Sequence, residues 1–203
     1  MRSRAVRARP EGTPLRATKD VDCISTVLPW VIQEKRLADL CTRGVLVPDK
    51  GVLCRYRIKG TDLDVDVLSP DGMNVGGVNP WFRRAAERAH GYELDDGRSV
   101  RAISPAYFLA TKVVAFGDRG EDALSSKDAE DIVTAIIEVP ALVEELEAEG
   151  IAAEVGNLFR RALAKHGVRD EDLDDFVDAH LDRQEREHAS RVVATIRSLL
   201  ARV

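Results

Sequence analysis

The sequence is poor in aromatic side chains and in long apolar runs. Aromatics make up only 5% of the chain, which argues against a stacking platform for single-stranded nucleic acid. No apolar run approaches the ~20 residues needed to cross a bilayer. The basic N-terminus has no apolar segment behind it, so it does not read as a secretory signal. We therefore expect a cytoplasmic protein with no membrane partner.

Cysteine and net positive charge are also scarce. Three cysteines, Cys23, Cys41 and Cys54, have no C-x-x-C spacing, which predicts reduced, buried thiols rather than disulfides or a zinc site. The formal net charge of -5 argues against a generally basic nucleic-acid-binding body. The four histidines show no metal-ligand spacing either, and we expect them at the surface or at helix ends: His90, His166, His180 and His188.

The pattern of apolar and polar residues changes along the chain. Residues 1–15 form a basic arm, residues 16–103 mix short β-like runs with helices, and residues 104–203 show helical periodicity almost throughout. Ser104 followed by Pro105 is typical of a helix start. Strands interleaved with helices and followed by a helical region predict a mixed α/β (α+β) core of residues 16–103 with a helical C-terminal region.

Two of the β-like runs carry aspartates at alternate positions. In T-K-D-V-D-C-I, Asp20 and Asp22 lie on the same side of a strand. In D-L-D-V-D-V-L, the three residues Asp62, Asp64 and Asp66 share one face. This second run follows V-L-C-R-Y-R-I across a K-G-T turn, and two such runs around a glycine predict a β-hairpin.

Carboxylates arranged in this way suit a divalent cation. They repel each other, and Mg²⁺ relieves the repulsion because it prefers hard oxygen ligands. With Asp66 or Asp64 from a neighbouring strand, Asp20 and Asp22 would form a cluster that polarises a nucleophile and neutralises a leaving pyrophosphate. Chance alone gives about two D-x-D pairs in a chain of this composition. Spacing therefore leaves a solvated acidic face as an equal alternative.

Longer motifs are more specific. R-A-T-K-D-V-D at 16–22 resembles the first metal-binding motif of minimal nucleotidyltransferases, especially the AbiEii-like toxin group of type IV toxin–antitoxin systems. L-D-V-D-V-L-S-P resembles the third-aspartate strand of that group, with Asp66 at the matching position. Three later stretches also resemble its members: G-G-V-N-P-W-F-R-R-A, R-A-I-S-P-A-Y-F-L-A-T-K-V-V-A-F-G-D-R-G and S-K-D-A-E-D-I-V. The likeness covers about residues 16–137.

The resemblance implies a polymerase-β-type nucleotidyltransferase fold, a mixed sheet with helices. It implies Mg²⁺-dependent transfer of a nucleotide from an NTP to a tRNA or protein acceptor, in a toxin that has an antitoxin as its partner. Asp20, Asp22 and Asp66 would then bind the metal and carry catalysis. The resemblance also implies nucleotide contacts in the helical region, from Lys112 to the phosphates and from residues beside the cleft: Asp128 and Asp131.

The residues of the helical region also have a structural interpretation. Asp128 and Asp131 are three apart on a helix and share a face. Lys112 is a usual point charge for a triphosphate. It would serve equally to tie two helices together by pairing with either aspartate. Arg119 is likewise either a phosphate contact or a loop anchor.

The start of the chain departs from the family. Its members usually have a Gly-Gly or Gly-Ser turn upstream of the first aspartate, where backbone N–H groups approach the phosphates. Here only the lone Gly12 precedes Asp20. Two alternatives follow: an N-terminally truncated nucleotidyltransferase, or a degenerate, non-catalytic member that binds without turnover. The missing helix would leave an apolar face exposed, which favours a homodimer or poor solubility.

Overall fold

The computed structural model describes residues 19–26, 30–70, 79–120 and 122–202. They divide between Ile103 and Ser104 into two compact units. The expected α+β class is confirmed, because the described residues contain eight α-helices, a four-stranded mixed sheet and a two-stranded sheet. The predicted basic arm and Gly12 lie outside the described residues. Within the described part of the chain, no helix has both the length and the apolar character needed to span a membrane.

The first unit contains both sheets. Its larger sheet has the strand order β1-β4-β3-β2, with β1 parallel to β4 and the other neighbours antiparallel. The smaller sheet is the antiparallel pair β5-β6. The bounds of these elements are β1 (Asp20–Ile24), α1 (Trp30–Thr42), β2 (Leu46–Pro48), β3 (Arg55–Ile58), β4 (Asp64–Leu68), α2 (Trp81–Glu87), β5 (His90–Glu93) and β6 (Ser99–Ala102).

Two of the hairpin turns contain a glycine with positive φ. Gly60 has φ 82° between β3 and β4, where the Ile58 N–H donates to the Leu63 carbonyl at 2.9 Å. Gly97 has φ 79° between β5 and β6. Side chains with a Cβ rarely adopt this conformation, so the glycines let the chain reverse. The hairpin predicted around the K-G-T turn is therefore confirmed, and its turn fixes the register of β3 against β4.

The second unit is helical. Ser104 caps the start of α3: its hydroxyl accepts a hydrogen bond from the Tyr107 N–H at 3.4 Å, and Pro105 is the first helical residue. Ser126 caps α4 in the same way through the Ala129 N–H at 3.4 Å. The helices are α3 (Pro105–Asp118), α4 (Lys127–Glu138), α5 (Leu142–Ala148), α6 (Ala152–Lys165), α7 (Leu173–Ala179) and α8 (Ala189–Leu200).

Aromatic rings occupy the core of this unit. Phe116 from α3 lies 6.4 Å from Phe159 and 5.9 Å from Phe176 between ring centroids, and all three rings are buried. Burying aromatic rings of this size contributes much of the apolar free energy of folding. These contacts join α3 to α6 and α7, so residues distant in sequence share one core.

One cysteine departs from the expectations, whereas two histidines lie at helix ends as expected. His180 directly follows the last residue of α7 and is buried, with Nε2 donating to the Ala123 carbonyl at 2.8 Å. His166 directly follows the last residue of α6 and stacks on the Phe116 ring at 4.5 Å. The prediction of buried thiols holds for Cys54 but is wrong for Cys23, which is exposed. Cys23 lies on β1, which is an edge strand of the four-stranded sheet among the described residues.

Candidate functional site

The aspartates of β1 and β4 lie side by side. Parallel pairing sets Asp20 opposite Asp64 and Asp22 opposite Asp66. Neighbouring strands are about 4.8 Å apart, and alternate residues of a strand point to the same side. All four carboxylates therefore lie on one face of the sheet. The three residues predicted to bind metal, Asp20, Asp22 and Asp66, are brought to this common face.

Two arginines of β3 lie on the same face. Antiparallel pairing sets Arg55 opposite Asp66 and Arg57 opposite Asp64. Arg55 donates from Nε to Oδ1 of Asp66 at 2.8 Å and from Nη2 to Oδ2 at 2.7 Å. Arg57 makes the same fork to Asp64 at 2.9 Å and 3.3 Å. We call these six residues the charged face: Asp20, Asp22, Arg55, Arg57, Asp64 and Asp66.

The two arginine–aspartate pairs differ in burial. The side chains of Arg55 and Asp66 are 33% and 14% exposed, whereas Arg57 is 57% exposed. The hydrogen bond with Asp66 raises the pKa of Arg55 above its usual range. The hydrogen bond from Arg57 lowers the pKa of Asp64. Burial, and then the Asp66 carboxylate, raise the pKa of the neighbouring Cys54 thiol, which keeps that thiol protonated.

The charged face has the donor chemistry that Mg²⁺ prefers, but its side chains do not yet surround a metal position. Within the described residues, no group of three or more histidine, cysteine, aspartate or glutamate side chains is gathered closely enough to hold an ion. Asp66 directs both oxygens at Arg55, although each oxygen has a second lone pair. Asp66 can bind a metal only if its carboxylate contacts the metal and Arg55 together, or if Arg55 moves away from the carboxylate.

A cavity of about 360 Å³ opens beside the Arg57–Asp64 pair. This volume lies within the range of small-molecule sites. The cavity does not reach the three aspartates predicted to bind metal, since Asp64 is the single carboxylate of the charged face among its lining residues: Val47, Pro48, Asp49, Lys50, Gly51, Arg57 and Asp64. It therefore adds no support for a nucleotide pocket at Asp66.

The four residues predicted to contact nucleotide form an ion-pair cluster in the second unit. Lys112 Nζ lies 2.7 Å from Asp131 Oδ2 and 3.7 Å from Asp128 Oδ1. Arg119 Nη1 lies 2.8 Å from Asp128 Oδ2. The Asp128 side chain is only 2% exposed, so its charge needs these cations nearby.

This cluster joins two helices. Lys112 belongs to α3, Arg119 follows it directly, and Asp128 and Asp131 belong to α4. Lys112 thus links α3 to α4 through its ion pairs, as the structural interpretation predicts. The contact of these residues with a nucleotide stays a prediction.

Sequence reasoning missed Arg55 and Arg57. The signal that would have found them is the symmetry of charge about the predicted turn. R-Y-R precedes K-G-T and D-V-D follows it, so a hairpin of that length places each arginine opposite an aspartate. Counting outward from the midpoint between Gly60 and Thr61 pairs Arg57 with Asp64 and Arg55 with Asp66.

Models of known protein families give no match to this sequence, and comparison with curated proteins finds no significantly similar chain. The structural class, an α+β protein with a charged sheet face, is therefore assigned from the structure of this chain alone. The resemblance of the chain to nucleotidyltransferases depends on the motifs quoted above.

Proposed function

We propose that this chain is a Mg²⁺-dependent nucleotidyltransferase that transfers NMP from an NTP to an RNA or protein acceptor. The observation that carries the proposal is the parallel register of β1 and β4, which puts Asp22 beside Asp66 and Asp20 on the same face. Carboxylates that are distant in sequence and adjacent on a sheet suit divalent-metal phosphoryl chemistry, where one or two carboxylates bind the ion together with substrate phosphates.

Each carboxylate has a role in this proposal. Asp20 and Asp22 would hold the ion from one strand, and Asp66 would hold it from the next. When bound, Mg²⁺ would neutralise charge on the transferred phosphate and on the leaving pyrophosphate. Asp66 would also accept a hydrogen bond from the acceptor hydroxyl and so orient it for attack.

The helical unit contributes to the proposal through its cations. Lys112 would contact the nucleotide phosphates by exchanging one of its aspartate partners for a phosphate oxygen, and Arg119 is the second candidate. The nature of the acceptor, tRNA or protein, and a role as a toxin with an antitoxin partner are carried over from the resemblance alone.

A second candidate is a non-catalytic binding protein of the same class. The observation that favours it is the bidentate pairing of both β4 aspartates with arginines, which satisfies Asp64 and Asp66 without any metal. Such pairing is also what a purely structural sheet face would show. The two candidates differ in turnover, which is directly measurable.

The test is transfer of radiolabel. The purified chain is incubated with Mg²⁺, each α-labelled NTP in turn and total tRNA, and label is followed on tRNA and on protein. We expect labelling that falls roughly 100-fold or more in Asp66→Ala, because a group that stabilises transition-state charge is lost. Asp64→Ala is the matched control, since it removes an arginine-paired carboxylate from the same strand and face.

The outcomes separate the two candidates. Labelling that depends on Asp66 but survives in Asp64→Ala supports the transferase. Folded protein that labels neither tRNA nor protein with any NTP favours the binding protein. Equal losses in the two variants would argue that the charged face matters for folding and that Asp66 has no particular role.

A further inference from the structure

Arg55 occupies the carboxylate that the proposed site most needs. Its guanidinium makes two hydrogen bonds to Asp66, at 2.8 Å and 2.7 Å, one to each oxygen. A fork of this kind is the strongest form of arginine–carboxylate contact, because both donors and both acceptors are aligned. A divalent cation at Asp66 must therefore compete with a positive charge that is already in place.

The pair is also partly shielded from water. The Asp66 side chain is 14% exposed and the Arg55 side chain 33% exposed. Charges interact more strongly where water is partly excluded, so this pair counts for more than a surface pair of the same geometry. The neighbouring Arg57–Asp64 pair has the same fork, but its arginine is 57% exposed. The Arg57–Asp64 pair can therefore serve as a control for the Arg55–Asp66 pair.

Arg55 lies in the field of further carboxylates. Besides Asp66, the carboxylates of Asp64 and Asp20 lie on the same face of the sheet as Arg55. Arg55 is thus attracted by the same negative charge that would attract Mg²⁺. A guanidinium and a divalent cation cannot both be fully stabilised by one carboxylate, since each repels the other at short range.

We propose that Arg55 is an internal cation that competes with the divalent metal for Asp66, so that metal binding and release of the guanidinium are linked. This inference rests on the proposed function, because it concerns regulation of the same site. Linkage is reciprocal: whatever favours the Arg55–Asp66 pair weakens metal binding, and metal binding weakens the pair by the same factor. The released guanidinium is then free to meet a phosphate, for which its planar fork is suited.

The test is calorimetric titration of the entire 203-residue chain with MnCl₂. Arg55→Gln should tighten Mn²⁺ binding roughly ten-fold, within the usual range of coupling between two binding events. Arg57→Gln removes the same charge from the same face without touching Asp66, and it should change affinity less than about three-fold. In the double variant Arg55→Gln with Asp66→Asn, the gain should disappear, because it acts through Asp66.

Far-ultraviolet circular dichroism checks that each variant folds. If Arg55→Gln fails to fold, Arg55→Lys and Arg57→Lys replace the glutamine pair. Lysine keeps the charge but cannot form the fork, so Arg55→Lys should tighten Mn²⁺ binding more than Arg57→Lys does. A wild-type chain that binds no Mn²⁺ beside an Arg55→Gln variant that does would also support the competition.

Two results would overturn the inference while the proposed function stands. The first is clear wild-type binding with equal affinities in the Arg55 and Arg57 variants. The second is a gain that persists when Asp66 is also replaced. Absence of Mn²⁺ binding from every folded variant would overturn both the inference and the metal site of the proposed function.

Discussion

Ion pairs in this protein differ in burial, and burial decides how much each contributes. Arg98 and Asp96 pair at 2.6 Å with side chains 78% and 50% exposed, and such a pair contributes little. Asp128 stands at the other extreme, because its side chain is 2% exposed between Lys112 and Arg119. Removing one partner of a buried pair leaves an uncompensated charge, which is far more costly.

Replacement of Asp128 should therefore destabilise the helical unit. We expect Asp128→Ala to lower the free energy of unfolding by about 2 kcal/mol, because the charge-assisted contacts of Asp128 are lost while Lys112 keeps Asp131 and Arg119 can turn to solvent. Asp131→Ala removes a carboxylate from the same helix and the same lysine, but Asp131 is 36% exposed, so its cost should stay below about 1 kcal/mol. Urea denaturation measures both, and equal costs would contradict this ranking.

Asp64 gives a pH-dependent prediction. Its pKa in the folded protein is lowered, chiefly by the hydrogen bond from Arg57. A depressed pKa contributes stability that is present above the unfolded value of about 3.9 and is lost as pH falls through the folded value. In Arg57→Gln we expect the pKa of Asp64 to rise towards that unfolded value. The measurement is an NMR titration that follows the chemical shift of the Asp64 carboxyl carbon with pH.

The matched control for this titration is Arg43→Gln, which removes an arginine paired with Asp39 on α1. It should leave the pKa of Asp64 unchanged. An Asp64 pKa that stays low in Arg57→Gln would show that a different group depresses it.

At the scale of elements, one glycine sets how closely two helices pack. A Cβ on Gly156 of α6 would lie 2.5 Å from the carbonyl oxygen of Leu199 in α8, too close for any real contact. Backbone oxygen cannot move aside as the end of a side chain can. The approach of α6 to α8 therefore requires glycine at this position.

Gly156→Ala should lower the free energy of unfolding by about 1 to 3 kcal/mol, because overpacking outweighs the gain in helix propensity. Gly117→Ala is the control within α3. A Cβ there would lie 3.2 Å from the Ala162 Cβ, which a small shift relieves, so the net effect should be near zero. Thermal unfolding of the two variants tests this difference. A Gly156→Ala variant more stable than the wild type would contradict the close approach of α6 to α8.

Sequence reasoning succeeded where a signal is local. The K-G-T hairpin turn and the Ser104-Pro105 helix start each depend on a few adjacent residues, and each occurs as predicted. The pairing of β1 with β4 joins residues more than forty apart, and nothing in either strand specifies its register. The shared face of Asp20, Asp22 and Asp66 needed that register, so spacing alone could not establish it.

The charges opposite Asp64 and Asp66 show a second limit of prediction from sequence. The aspartates were recognised as a group because they are alike, whereas Arg55 and Arg57 belong to another strand and carry the opposite charge. Whether a carboxylate is paired depends on the neighbour across the sheet, which the alternation of one strand does not reveal. Likewise, the burial of His180 depends on contacts with residue 123, far away in sequence.

At the scale of the whole molecule, the chain divides into two compact units between Ile103 and Ser104. The second unit has its own aromatic core and its own capped first helix. A unit with a core of this kind is expected to fold by itself. We predict that a fragment of residues 104–203 is helical by circular dichroism and unfolds cooperatively in urea.

Phe116→Ala in that fragment should abolish the cooperative transition, because loss of a buried phenylalanine costs about 3 to 5 kcal/mol. Leu124→Ala is the control, since Leu124 is 50% exposed. A wild-type fragment without helical signal would show that residues 104–203 depend on the rest of the chain.

The most direct test of the proposed metal site is a crystal structure of the full chain with Mn²⁺ and a non-hydrolysable NTP analogue, using the anomalous signal of manganese. We predict an anomalous peak within coordination distance of Asp20, Asp22 and Asp66, with the Arg55 guanidinium turned away from Asp66. A map without a peak at the charged face, in which Arg55 still holds both oxygens of Asp66, would contradict it.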